Sequence, residues 1–217
     1  GVLSASVYQS TQSMAAAVAV AVAVAVACNL VNAFFVGQCN VPAFIATLGM
    51  QTIIYGLCSL ITNNQPMGGY KKSYLTVASG SLGPIPYLMI FAMIVGGYFL
   101  FLYNKTRHGK YMYAIGGNEN AAQVAGVNVQ GSLIRIYVLA GCMYALAGFL
   151  VGAKAGGAST ATGMGYELEA IAACTIGGVS ANGGVGRVSG ILVGVLVFEA
   201  LKICLQFLGV VPAYTFV

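Results

Sequence analysis

The chain has 217 residues, of which nine are Lys or Arg, four are Glu and none is Asp, so only 6% are charged against ~25% in soluble domains. No charge occurs before Lys71, 59% of the residues are hydrophobic, and mean hydropathy is +0.88. A soluble surface cannot be built from this composition, and a disordered chain would be poor in apolar residues and rich in charge; an all-α polytopic bundle of transmembrane helices remains.

A spanning helix needs about twenty apolar residues, each rising ~1.5 Å through a ~30 Å hydrocarbon core. Met14 to Val36 supplies the first, and its stretch from Ala15 to Ala27 contains only Ala and Val. Alternation at period two usually argues for a strand, but both alternating residues here are apolar, so it marks no wet face and length decides for helix. Pro42 opens a second span, Ala43 to Ile61, with proline in the tolerated first turn. Thr62 to Gly83 is a polar, turn-rich loop that includes Asn63, Asn64, Pro66, Gly68 and Gly69, and it ends at Pro84.

Ile85 to Tyr103 is the third span. Asn104 to Gly131 is the longest polar stretch, with Lys105, Arg107, His108 and Lys110, and Ser132 to Ala153 is the fourth span. Gly156 to Gly165 is a flexible Gly/Ala/Thr loop. Glu169 to Ser180 is apolar but too short to cross, as in a half-helix or re-entrant segment. Val188 to Leu208 is the last span. The chain begins at Gly1 with neither an initiator Met nor a basic signal region and ends at Tyr214-Thr-Phe-Val217, so both ends read as cuts through a longer protein.

With residues 104–131 on the cytoplasmic side, that side carries Lys105, Arg107, Lys110, Arg135 and Arg187, against Lys71, Lys72 and Lys154 opposite. Trp is absent, and Tyr70, Tyr74, Tyr87, Tyr103, Tyr111 and Tyr166 supply the interfacial aromatics. The basic residues form no long run, which argues against a nucleic-acid partner. Gly148, Gly152 and Gly156 recur every four residues, as do Gly186, Gly190 and Gly194, which predicts two small-residue stripes where helices cross closely. The cysteines, Cys28, Cys39, Cys58, Cys142, Cys174 and Cys204, have no metal or redox spacing and read as small buried hydrophobes.

No catalytic constellation is present: there is one His, no Asp, and no Ser or Cys with a base partner. The only Gly-Lys pair, Gly109-Lys110, is followed by Tyr and lacks the upstream glycine of a phosphate loop. The cluster Gly183, Gly184, Gly186 and Gly190 is out of register for a dinucleotide fingerprint, so no metal or cofactor is expected in this chain. Asn104-Lys-Thr106 matches a glycosylation sequon by chance. Asn118 is a good N-cap, Glu119 suits the first turn and Gly126 a helix stop, giving a short helix with small side chains at Ala121, Ala122 and Ala125 outside the membrane. Spacing leaves it either a docking helix or an ordinary connector.

Glu199 falls near the middle of the last span with Lys202 three residues on, as for a structural pair or a contact with another helix rather than a substrate group. Asn29, Asn32, Thr47, Gln51 and Thr175 could line a polar path for a translocated solute or bond between helices.

The runs Asn104-Lys-Thr-Arg-His-Gly109, Ala114-Ile-Gly-Gly-Asn-Glu-Asn-Ala-Ala122 and Gly126-Val-Asn128 resemble the cytoplasmic loop of sugar ABC-transporter permeases of the ribose/xylose/galactose type. Val41-Pro-Ala-Phe-Ile-Ala-Thr-Leu-Gly49, Tyr166-Glu-Leu-Glu-Ala-Ile-Ala-Ala-Cys174, Ile176-Gly-Gly-Val-Ser180 and Gly183-Gly-Val-Gly-Arg-Val-Ser-Gly190 extend the resemblance over most of residues 28–212, with wording most similar to galactose/methyl-galactoside permeases. The resemblance implies that residues 1–217 are part of one permease domain in the bacterial inner membrane. It implies a second permease copy, two ATP-binding subunits that hold ATP and Mg, and a periplasmic sugar-binding protein. Asn118, Glu119, Ala121, Ala122 and Gly126 then match the helix that couples to the ATPase. The family's Gly-Gly-x-Asp-Leu-Ser stretch and a helix after residue 212 are not in this chain. A self-sufficient secondary transporter or channel is the alternative.

Overall fold

A computed structural model describes residues 1–68 and 70–209, the side chains of Lys72 and Ser73 excepted. Expectations at Gly69, for the side chain of Lys72 and for the end at Tyr214–Val217 lie outside the described residues. The residues fall into two compact units, 1–91 with 130–163, and 92–129 with 164 onward.

The first unit opens with α1 (Val2–Thr11) and α2 (Met14–Gly37). The Ser13 hydroxyl caps α2 by accepting from the Ala16 amide, and 24 residues give a rise of about 36 Å, enough to cross a bilayer. The Ala/Val alternation therefore sits in a helix, because small apolar side chains place no polar stripe anywhere on its surface. α3 (Ala43–Thr62) begins directly after Pro42 and stops at Asn63 in the left-handed conformation. α8 (Val129–Ala155) crosses α2 closely: a methyl on Gly141 would lie 3.0 Å from the Ala25 carbonyl oxygen.

Between the spans, β1 (Met67–Gly68) pairs antiparallel with β4 (Gly157–Ala158), and β2 (Ser81–Leu82) with β3 (Ile85–Pro86). The 62–83 stretch is more than the expected loop. It folds α4 (Lys72–Ser79), because Tyr74 and Ala78, one helical turn apart, are both buried. With Tyr8 of α1, Tyr70 and Phe149 of α8 they form the unit's core, the Tyr8 and Tyr74 rings at 4.6 Å and the Tyr74 and Phe149 rings edge-on at 5.0 Å. α1 was equally unmarked in the hydropathy; its buried Ser4, Ala5 and Tyr8 share one face.

Burial, then the neighbouring Tyr74, pushes the Tyr70 phenol up to about 12 from its ordinary 10.0. A raised acid pKa means that the folded state holds its proton more tightly than the unfolded state, so the contribution of Tyr70 to stability is constant below pH 10 and is lost as pH rises through about 12. Titration of tyrosinate absorbance in the full-length protein is expected to show an alkaline loss of structure in this window. Tyr70→Phe should shift the loss upward; an unchanged midpoint would refute it.

The second unit contains the continuation of α5 (Tyr87–Lys105), then α6 (Arg107–Gly117), α7 (Glu119–Val124), α9 (Tyr166–Ile176) and α10 (Val188–Phe207). α2, α3, α5, α8 and α10 are long and apolar enough to cross a membrane, so the all-α polytopic reading holds. α9 rises about 16 Å, half of a ~30 Å core, as expected of a half-helix. It starts three residues earlier than expected, at Tyr166, and stops four residues before Ser180. The stop is a Schellman closure: the Val179 amide donates to Cys174, the Gly178 amide to Thr175, and Gly178 has φ +83°.

Among the described residues the six cysteines are free, and the expectation that they are buried is corrected: Cys39 and Cys204 are exposed and the other four half-buried. A thiol on an apolar helix needs no protein cover where lipid is the solvent.

Candidate functional site

The polar stretch 104–131 forms an elbow of two short helices. Thr106 starts the first, its hydroxyl donating to the Leu102 carbonyl at 2.6 Å and accepting from the Gly109 amide at 3.1 Å. Thr106 is therefore an N-cap inside the sequon, and it is the signal for α6 that sequence reading passed over. Gly109 fits beneath the end of α5, where a methyl would come within 2.5 Å of the Leu102 and Tyr103 carbonyl oxygens.

Asn118 joins the two helices. Its amide donates to Ala114 to close α6, and its Oδ1 accepts from the Ala121 amide at 2.9 Å to open α7. Glu119 stands in the first turn of α7, where the unpaired amides favour a negative charge. The helix ends in a second Schellman closure, Val127 to Ala122 and Gly126 to Gln123, with Gly126 at φ +83°. Of the predicted docking residues, Asn118, Glu119, Ala121 and Gly126 are exposed, whereas Ala122 is buried and faces the protein itself. Val124, which spacing did not single out, is almost wholly exposed beside Ala121 and Ala125.

The elbow meets the start of α10. The Tyr113 hydroxyl donates to the Gly186 carbonyl at 2.8 Å, and its ring packs edge-on to Tyr103 at 5.8 Å. Gly116 lies so close to the turn before α10 that a methyl on it would stand 2.6 Å from the Gly184 amide nitrogen.

From there α10 runs antiparallel to α9. Gly190 packs on the Gly177 backbone and Gly194 on the Ala173 carbonyl, both too close for any side chain. The expected second stripe is thus a crossing at Gly190 and Gly194, while Gly186 precedes the helix and serves as the acceptor for Tyr113. The first stripe is mixed among the described residues. Gly148 packs on the Gly1 backbone, a methyl on Gly152 would meet the Gly157 carbonyl and the Tyr74 hydroxyl only at an ordinary 3.9 Å, and Gly156 lies beyond α8 with φ +69°. Regular spacing describes one helix face and cannot tell which glycines a partner backbone reaches.

At the far end of the α9–α10 pair, Lys202 Nζ lies 2.8 Å from Glu169 Oε2 and 3.9 Å from Glu199 Oε1. The neighbouring-helix contact is thus the principal one, ahead of the pairing at i, i+3. Glu169 and Lys202 are 16% and 22% exposed, whereas Glu199 is 54% exposed.

The polar residues read as a path lie on α2, α3 and α9. Asn29 and Asn32 are buried in the first unit, Asn29 donating to the Ala25 carbonyl at 2.9 Å. Thr47 donates to Ala43 and Thr175 to Ile171, each a bond back along its own helix; Gln51 is exposed on α3. Among the described residues no cluster of His, Cys, Asp and Glu could hold a metal.

Over residues 1–217 the chain matches the model of a family described as branched-chain amino acid transport system, permease component. It belongs to that family. Its relatives include the galactose/methyl galactoside import permease protein MglC of Escherichia coli, 41% identical over 87% of this chain and 58% of the relative. The L-arabinose transport system permease protein AraH of Escherichia coli is 34% identical over 98% of this chain and 65% of the relative. The ribose import permease protein RbsC of Bacillus subtilis is 38% identical over 86% of this chain and 58% of the relative. The resemblance to sugar permeases read from the sequence is therefore correct. The chain spans 58% of the length of the galactose relative. No solved structure matches it.

Proposed function

We propose that this chain is part of the membrane-spanning permease of an ATP-driven monosaccharide importer, galactose/methyl-galactoside-like, that works by alternating access in the bacterial inner membrane. The 41% identity to a galactose/methyl galactoside permease over 87% of the chain carries the reading. The elbow gives it a mechanism. Residues 104–131 face the cytoplasm, and the exposed face of α7, with Glu119, Ala121, Val124 and Ala125, docks in a groove of a separate ATPase subunit that binds ATP and Mg. A second permease copy and a periplasmic sugar-binding protein complete the importer. Small side chains on α7 let the partner's backbone approach, and the Asn118 cap and Gly126 closure keep so short a helix formed off the membrane.

The test is reconstitution of the full-length permease with its ATPase subunits and receptor, using labelled galactose, arabinose and ribose as probes. Uptake is expected only with ATP and the ATPase, and Ala121→Cys should crosslink to a cysteine in the ATPase groove. Uptake that persisted without the ATPase would show a self-sufficient transporter and overturn the reading.

A further inference from the structure

A docking helix moves a transporter only if something rigid connects it to the membrane helices, and three features of the second unit supply such a connection. The first is the Tyr113 hydroxyl on the Gly186 carbonyl at 2.8 Å, between residues 73 apart in sequence. The second is the contact of Gly116 with the turn at Gly183 and Gly184: a methyl on Gly116 would stand 2.6 Å from the Gly184 amide nitrogen, and one on Gly183 would stand 2.9 Å from the Gly116 carbonyl oxygen. Two backbones meet there with no flexible side chain between them. The third lies beyond the turn, where Gly186 packs against Val179 just after α9 and Gly190 packs against Gly177 at the end of α9. Atoms in close contact thus run from α6 to the foot of α10 and across to α9.

We infer that Tyr113 and the Gly116–Gly184 contact form a joint that positions the start of α10 and passes displacement of the α6–α7 elbow to the α9–α10 pair. Tyr113 is a positioning residue, touching neither nucleotide nor sugar. The inference rests on the proposed docking of α7 to an ATPase, but it concerns a different step. Packing transmits motion because a close backbone contact cannot deform smoothly; it either moves with its neighbour or separates from it. The Tyr113 hydrogen bond decides between these outcomes, and it can be removed by itself, because the ring has its own edge-on contact with Tyr103.

The experiment uses the full-length permease assembled with its ATPase subunits and receptor in lipid nanodiscs and vesicles. Docking is read by the Ala121→Cys crosslink, and coupling by galactose, arabinose or ribose moved per ATP hydrolysed. Tyr113→Phe should keep the crosslink and lower sugar moved per ATP about three- to tenfold, as loss of one part-buried hydrogen bond implies. Gly116→Ala should lower it further with docking retained. Gly117→Ala, whose added methyl meets nothing within 4 Å, is the matched control and should leave the ratio unchanged. Should Gly116→Ala fail to assemble, Tyr113→Phe decides alone, because a purely structural hydroxyl would change the amount of complex but not its ratio. Wild-type coupling in Tyr113→Phe with the crosslink intact would overturn the joint. Absence of the crosslink in the otherwise unsubstituted complex would overturn the functional reading beneath it.

Discussion

Gly194→Leu is expected to separate α9 from α10 and to destabilise the full-length protein by about 3 kcal/mol or more, at the upper end of overpacking costs. The reason is what stands opposite. An added Cβ on Gly194 would fall on the Ala173 carbonyl oxygen and within 2.7 Å of the Gly177 amide nitrogen, all of it backbone. A crowded side chain can change rotamer, but a helix can only move away whole. α9 has only eleven residues over which to spread the strain; in lipid there is no hydrophobic drive between helices to compensate for lost contact. Gly97→Leu on α5 is the control, since a Cβ there meets nothing within 4 Å. Thermal unfolding in detergent, with protease cleavage within 177–187 as a local readout, should show a large loss for Gly194→Leu and almost none for Gly97→Leu. Equal behaviour of the two would show that the α9–α10 contact carries little stability.

That contact marks where sequence reading succeeds and where it stops. The five spans were legible because crossing a bilayer demands about twenty apolar residues in a row, and α2, α3 and α10 lie within a residue of their expected ends. α9 was legible for the converse reason, a run too short to cross. α1, α4 and α6 were not anticipated. α1 and α4 are short and defined by long-range packing, Tyr74 against Tyr8 and Phe149, which no local window contains; α6 does carry a local signal, the Thr106 cap, set inside a polar run that reads as loop. The glycine stripes mixed close contacts at Gly190 and Gly194 with Gly152, where a methyl would make only ordinary contacts, and missed Gly141, which packs on α2. In the elbow, caps and stops were written locally at Asn118, Glu119 and Gly126. The orientation of Ala122 was not, because six residues define no helical face until α6 packs against them.

Lys202 illustrates the same limit and supports the second large effect. Sequence spacing offers Glu199, on the same helix; the structure brings Glu169 from α9 to 2.8 Å and leaves Glu199 at 3.9 Å and more than half exposed. The 169–202 contact crosses between helices, so it bears on whether α9 stays in place, which a bond along one helix would not. Removing either partner leaves a charge in a part-buried position, so the cost falls below the ~3–5 kcal/mol of a fully buried pair. Lys202→Met is therefore expected to destabilise the protein by about 2 kcal/mol, as is Glu169→Leu. Combining them removes both charges, and apolar side chains of similar size pack where an ion pair had to be desolvated, so the double variant should recover most of the loss. Glu199→Gln, at the longer distance of 3.9 Å, should cost less than the loss of either partner of the 2.8 Å pair. Chemical unfolding of the four variants in detergent gives the coupling energy directly as a double-mutant cycle. If the two single losses simply added in the double variant, the ion pair would not be what ties α9 to α10, and the glycine contacts alone would have to do so. If they cancel, both ends of the α9–α10 pair are pinned, by charge at Lys202 and by backbone at Gly190, and α9 can move only together with α10.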